Sequence, residues 1–110
     1  MNNKKQVKFY IVQNSENNNI LSRKFSNDVH QHFDDNPNEY FIVEEWIDRN
    51  VRKVLSLNGI QDCPFFTTVK EALSFLRKTF ETHPHFHGTE LNSVMLVEKL
   101  NETLIFSKDS

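Results

Sequence analysis

The chain holds one cysteine, Cys63, among its 110 residues. No intrachain disulfide can form, and a reducing compartment, the cytoplasm, is the expected location. Glycine (two) and proline (three) are scarce. The common nucleotide-binding loops need a glycine-rich strand-to-helix turn, and none is present. No apolar run reaches the length of a membrane span. In MNNKKQVKFYIV the apolar stretch is too short, and too broken by Lys8, for a signal peptide. A basic excess is missing as well. Thirteen Lys and Arg stand against fifteen Asp and Glu, a net charge of -2, which speaks against a general nucleic-acid binder.

What the chain does have is phenylalanine. Hydrophobic residues make up 37% of the sequence, and ten of them are Phe. A core of few, large side chains buries much area per residue. The length suits a single domain over residues 1–110, able to bury roughly two-thirds of its unfolded surface.

QVKFYIV sets Val7, Phe9 and Ile11 against Lys8, Tyr10 and Val12, the two-residue period of a strand. After the polar tract QNSENNN, ILSRKF (20–25) reads as its hairpin partner. Residues 26–36 carry a short helix, with Ser26 or Asn27 as cap and Val29 and Phe33 four apart. The stretch 37–59 has a helical stripe of Tyr40, Val43, Ile47, Val51, Val54 and Leu55. Its acidic residues fall early and its basic ones late, as the helix dipole favours. A strand at YFIV is the rival reading. TTVKEALSFLRKTFET predicts a second helix, capped by Thr68 with Glu71 and burying Val69, Ala72, Leu73, Leu76 and Phe80. NSVMLVEKLNETLIFSKD predicts a second hairpin. The expected fold is therefore α+β: a mainly antiparallel sheet from an N-terminal and a C-terminal hairpin, with two main helices packed on one face.

Four groups of residues invite chemistry. THPHFHGTE places His83, His85 and His87 at alternate positions. In an extended segment His85 and His87 share a face and offer two zinc ligands, whereas His83 and His87 lie about 13 Å apart. Further ligands would come from Cys63, His30, His32 or Glu90. The alternative is a solvated loop after the helix. Cys63 beside a histidine has the elements of a nucleophile and base, but no local signature accompanies it. Asp34, Asp35, Glu44, Glu45 and Asp48 invite acid–base chemistry, yet they also suit a helix start. Arg49, Arg52, Lys53, Arg77 and Lys78 form a basic set interleaved with acids.

The apolar residues left over decide the functional expectation. Tyr10, Val12, Met95 and Val97 point to the second face of the sheet, and Phe41, Ile42 and Trp46 lie off the helical stripe. Aromatic and Met residues on a surface mark a protein interface. The leading expectation is a small non-enzymatic module that binds and regulates, as an inhibitor, immunity protein or adaptor, a protein partner. Trp46, Phe41, Tyr10 and Met95 are its anchors, and Arg49 and Arg52 its rim. A homodimer through the sheet is a variant of this reading. The alternatives are a zinc-binding protein built on His85 and His87 and a nucleic-acid-binding regulator. No cofactor is otherwise expected, and no membrane partner.

Overall fold

The computed structural model describes residues 5–13, 20, 27–55, 65–98 and 101–107. Its elements run β1 (Lys5–Gln13), α1 (Asn27–Asp35), β2 (Tyr40–Trp46), β3 (Val51–Val54), β4 (Phe65–Phe66), α2 (Val69–Thr82), a 3-10 turn (Pro84–Phe86), β5 (Thr89–Glu98) and β6 (Asn101–Ser107). The strands form one sheet in the order β3-β2-β1-β5-β6, with β4 pairing β2 beside β3. The central pair, β1 with β5, is parallel; the other pairs are antiparallel. The fold is α+β with a mixed sheet.

Each face of the sheet has its own apolar layer. On one face Val7, Phe9, Ile11, Ile42, Trp46, Leu91 and Val94 pack with Ala72 and Leu76 of α2 and with Phe86 of the 3-10 turn. On the other, Tyr10, Val12, Phe41, Val43 and Val97 pack with Phe33 of α1 and with Ile20. The apolar second face expected from Tyr10, Val12, Met95 and Val97 thus exists. Phe33 covers part of it, its ring 4.0 Å from Phe41 and 5.2 Å from Phe65. The two helices lie on opposite faces of the sheet, not on one.

α2 forms as its pattern dictates. The Thr68 side chain accepts the Glu71 amide at 3.2 Å, and Ala72 and Leu76 are buried. Glu71 accepts from the Thr67 hydroxyl (3.2 Å). The helix stops at His83, whose extended backbone is what a following proline imposes. α1 ends where Asn36 turns back on the His32 carbonyl with both its backbone and side-chain nitrogens. The C-terminal hairpin is also present, β5 against β6 from Ser93↔Ser107 to Glu98↔Asn101.

Two expectations are corrected. Residues 37–55 are not a helix, and the rest of the expected stretch, 56–59, lies outside the described residues. Tyr40–Trp46 and Val51–Val54 are antiparallel strands joined by a tight turn. Amides of Arg49 and Asn50 donate to the carbonyls of Trp46 and Ile47. Asn50 takes φ 52°, a left-handed conformation that asparagine tolerates and β-branched residues avoid. Nor is the sheet built from two hairpins. Both sides of β1 are occupied, by β2 and β5, so no hairpin partner can pair alongside it. The segment expected as that partner, 20–25, lies outside the described residues apart from Ile20. No helix among the described residues is long and apolar enough to cross a membrane.

Candidate functional site

The β2–β3 hairpin and the 3-10 turn meet over one end of the sheet, and most of the ion pairs among the described residues gather there. Alternation along β2 sends Glu44 and Trp46 to the α2 face and Glu45 to the α1 face. The register then sets Glu44 opposite Lys53 and Glu45 opposite Arg52. Both pairs close: Lys53 Nζ lies 3.2 Å from Glu44 Oε1, and Arg52 Nε 2.6 Å from Glu45 Oε2.

Glu44 is 1% exposed. His85 Nε2 approaches the same Oε1 at 3.6 Å, while Oε2 has no hydrogen-bond partner among the described residues. A carboxylate with so little solvent is costly to hold unless cations and hydrogen bonds compensate. Here two basic side chains reach in from the surface, Lys53 and His85, 51% and 38% exposed. The Trp46 indole N–H and His83 Nε2 are likewise buried without a partner among the described residues. His83 Nδ1 accepts the His85 amide at 3.1 Å, so neutral His83 carries its proton on Nε2, a donor. Trp46 and His83 are both neighbours of the His85 ring, at centroid distances of 5.4 Å and 6.0 Å.

On the α1 face, the Tyr10 hydroxyl donates to Glu45 Oε1 (3.0 Å), and the Arg52 guanidinium lies 5.1 Å over the Tyr10 ring. Burial, then the hydrogen bond and charge of Glu45, push the Tyr10 pKa from 10.0 up to about 12, with Arg52 pulling the other way. For Arg52, burial works against the charge. Glu45, with Tyr10 and Glu102, more than offsets it, and the pKa rises.

The proposed anchors are placed differently from expectation. Trp46, Phe41 and Tyr10 are 3%, 0% and 4% exposed. They are interior groups, because residues 40–46 form a strand with a layer on each side. Trp46 stacks on Phe86 (6.0 Å, 6° between planes). Met95 is half-buried against the α1-face core. Arg49 and Arg52 are at the surface, Arg49 with its guanidinium 5.3 Å over Trp46. Sequence reasoning passed over Ile47 and Val51 by assigning them to a buried stripe. They flank the hairpin turn at 39% and 42% exposure.

His85 and His87 do not share a face. Pro84–Phe86 is a 3-10 turn, not a strand, and in that geometry residues three apart, not two, are in line. His85 turns toward Glu44, while His87 is exposed. His32 is engaged with Glu39 at 2.7 Å and stacks on Phe65. Among the described residues no three His, Cys, Asp or Glu side chains are grouped to hold a metal ion. Cys63 lies outside the described residues. The basic set is divided: Arg52 and Lys53 are on β3, at one sheet edge, and Arg77 lies over Phe106 of β6, at the other.

The chain matches no protein-family model, no curated protein and no solved structure.

Proposed function

We propose that the chain is a protein-recognition module that binds and regulates another protein, and that the β2–β3 hairpin is its recognition surface. One observation carries the reading. Among the described residues, two of the three exposed large hydrophobic side chains, Ile47 and Val51, sit on this hairpin beside Arg49, Arg52 and Lys53. Apolar groups framed by arginines are the composition of a protein interface. The carboxylates that balance two of those cations, Glu44 and Glu45, lie deeper than the cations do, so the hairpin turns positive charge outward. Rigidity adds to the case. Trp46 and Tyr10 are locked in the core, and Arg49 and Arg52 rest on their rings, so less side-chain entropy is lost on binding. The role of Trp46 is thus to position Arg49 rather than to enter a partner.

The test uses a photo-crosslinking residue placed at Val51, with a second variant labelled at exposed Glu71 of α2 as the control, in native lysate. The expected result is one stoichiometric adduct from Val51, none from Glu71, and its loss in Arg49→Glu with an unchanged circular dichroism spectrum. Equal adducts from both positions, or an adduct indifferent to Arg49→Glu, overturn the reading. An adduct with the chain itself identifies the partner as a second copy.

A further inference from the structure

The sheet path is five strands wide, about 19 Å at the usual strand spacing. A single helix with its side chains is only about 10 Å across. α2 lies mainly against β1, β2 and β4, and its side chains Arg77 and Phe80 only border the β5–β6 half of that face. That half is nevertheless apolar: Leu91, Leu96, Ile105 and Phe106 belong to the same core layer. Between it and the C-terminal half of α2 is a cavity of about 340 Å³, lined by Arg77, Phe80, Glu81, Leu91 and Phe106. Small-molecule sites begin near this size, with apolar walls and a few converging polar groups.

The polar groups at this cavity specify a head group. Arg77 and Glu81 are four apart on α2, a spacing at which opposite charges commonly pair. They do not pair here, and among the described residues neither has an opposite charge within ion-pair distance. The Arg77 guanidinium instead lies 5.8 Å over the Phe106 ring, which holds it at the cavity with its donors unspent on any carboxylate. Arg is suited to take an anionic oxygen pair from that position. Glu81, lining the same cavity, repels any anion, a doubly charged phosphate about twice as strongly as a carboxylate, so a single negative charge is the most that Arg77 can hold there. We propose that this cavity binds a small amphiphile with an aliphatic or aromatic body and one carboxylate. The body lies on Leu91, Phe80 and Phe106, and the carboxylate meets Arg77.

The test is a titration of isotope-labelled protein with octanoate, octan-1-ol and octylamine, followed by NMR. Octanoate is expected to shift the signals of Leu91, Phe106 and the Arg77 side chain saturably, and to bind more tightly than the other two. Losing a charge-assisted hydrogen bond costs about tenfold in affinity. Arg77→Gln should therefore weaken octanoate about tenfold and leave octanol unchanged, and Arg77→Lys should recover part of the loss. Arg77 is exposed, so these variants keep the fold, which their own spectra verify. Absence of saturable shifts at the cavity residues overturns the proposal. So does octanol or octylamine binding as tightly as octanoate, or octanoate binding unaffected by Arg77→Gln.

Discussion

Phe86 is the residue on which the α2-face core turns. It sits on a three-residue 3-10 turn, 4% exposed. Its ring meets Phe9 at 5.5 Å, Phe80 at 5.3 Å, His85 at 4.9 Å and Trp46 at 6.0 Å. The turn has few backbone bonds of its own, Phe86 to His83 and His87 to Pro84, so its position depends on this one side chain. Truncating a buried Phe to Ala costs about 3–5 kcal/mol. These four and the His83 ring at 6.2 Å, with aromatic pairs worth about 0.5–1.5 kcal/mol beyond area, place Phe86→Ala toward the upper part of that range. Domains of this size have about 5–15 kcal/mol in total, so the variant is expected to lose a large fraction of its stability. At about 4 °C or more per kcal/mol, the melting temperature falls by roughly 15–20 °C.

Urea unfolding followed by fluorescence gives the value, because Trp46 is the single tryptophan and stacks on Phe86. Its native emission should move to the red in Phe86→Ala as water reaches the indole. His87→Ala, one residue on and exposed, is the control and should change stability by less than about 0.5 kcal/mol. A loss under about 1 kcal/mol for Phe86→Ala, with unaltered emission, would falsify the claim that the turn is docked through this ring. The pairing of His85 with Glu44 would then lose its structural basis too.

Two further outcomes follow from the ionisable groups. The Tyr10 pKa is raised to about 12, so folded protein keeps that proton longer than unfolded protein does. Its contribution is complete below pH 10 and is lost as pH rises through about 12, worth about 2–3 kcal/mol for two pKa units. The difference between the 295 nm absorbance titrations of the wild type and Tyr10→Phe isolates Tyr10 from Tyr40, whose pKa burial also raises; that difference should show a late phenolate step, and a step near pH 10 refutes the burial argument. For Glu44, replacement by Leu removes a buried carboxylate whose partners, Lys53 and His85, already reach solvent, and stability should stay level or rise by about 1–4 kcal/mol. Removing the partners instead, in Lys53→Met with His85→Ala, should cost about 3–5 kcal/mol, because it leaves the carboxylate buried and unpaired. Chemical denaturation of the two variants gives both values, and the opposite ordering would show that the carboxylate itself holds the hairpin.

Local chemistry was legible in the sequence, and layering was not. Thr68 and Glu71 announce α2 because a cap and its helix lie within a few residues of each other, and β1 and the β5–β6 hairpin follow from a two-residue period. The stretch 40–55 misled for a definite reason. β2 is covered on both faces, so Phe41, Ile42 and Val43 are all apolar, and an unbroken apolar run contains a three-and-four spacing as readily as a two. The signal that decides the matter is charge symmetry about the turn. VEEW and VRKV are equidistant from IDRN, so folding the segment back on itself puts Glu44 on Lys53 and Glu45 on Arg52. A helix offers only Glu45 with Arg49 and Asp48 with Arg52, and leaves Glu44 and Lys53 unmatched. The candidate site depends on the same choice. As strand residues Trp46 and Phe41 turn inward, and exposure passes to Ile47 and Val51 at the turn. Even the correct strand would not have shown which face is covered, since Phe41 and Val43 look the same beneath a helix or beneath water. That information lies in Phe33, on another element, and becomes meaningful only when its ring is found 4.0 Å from Phe41.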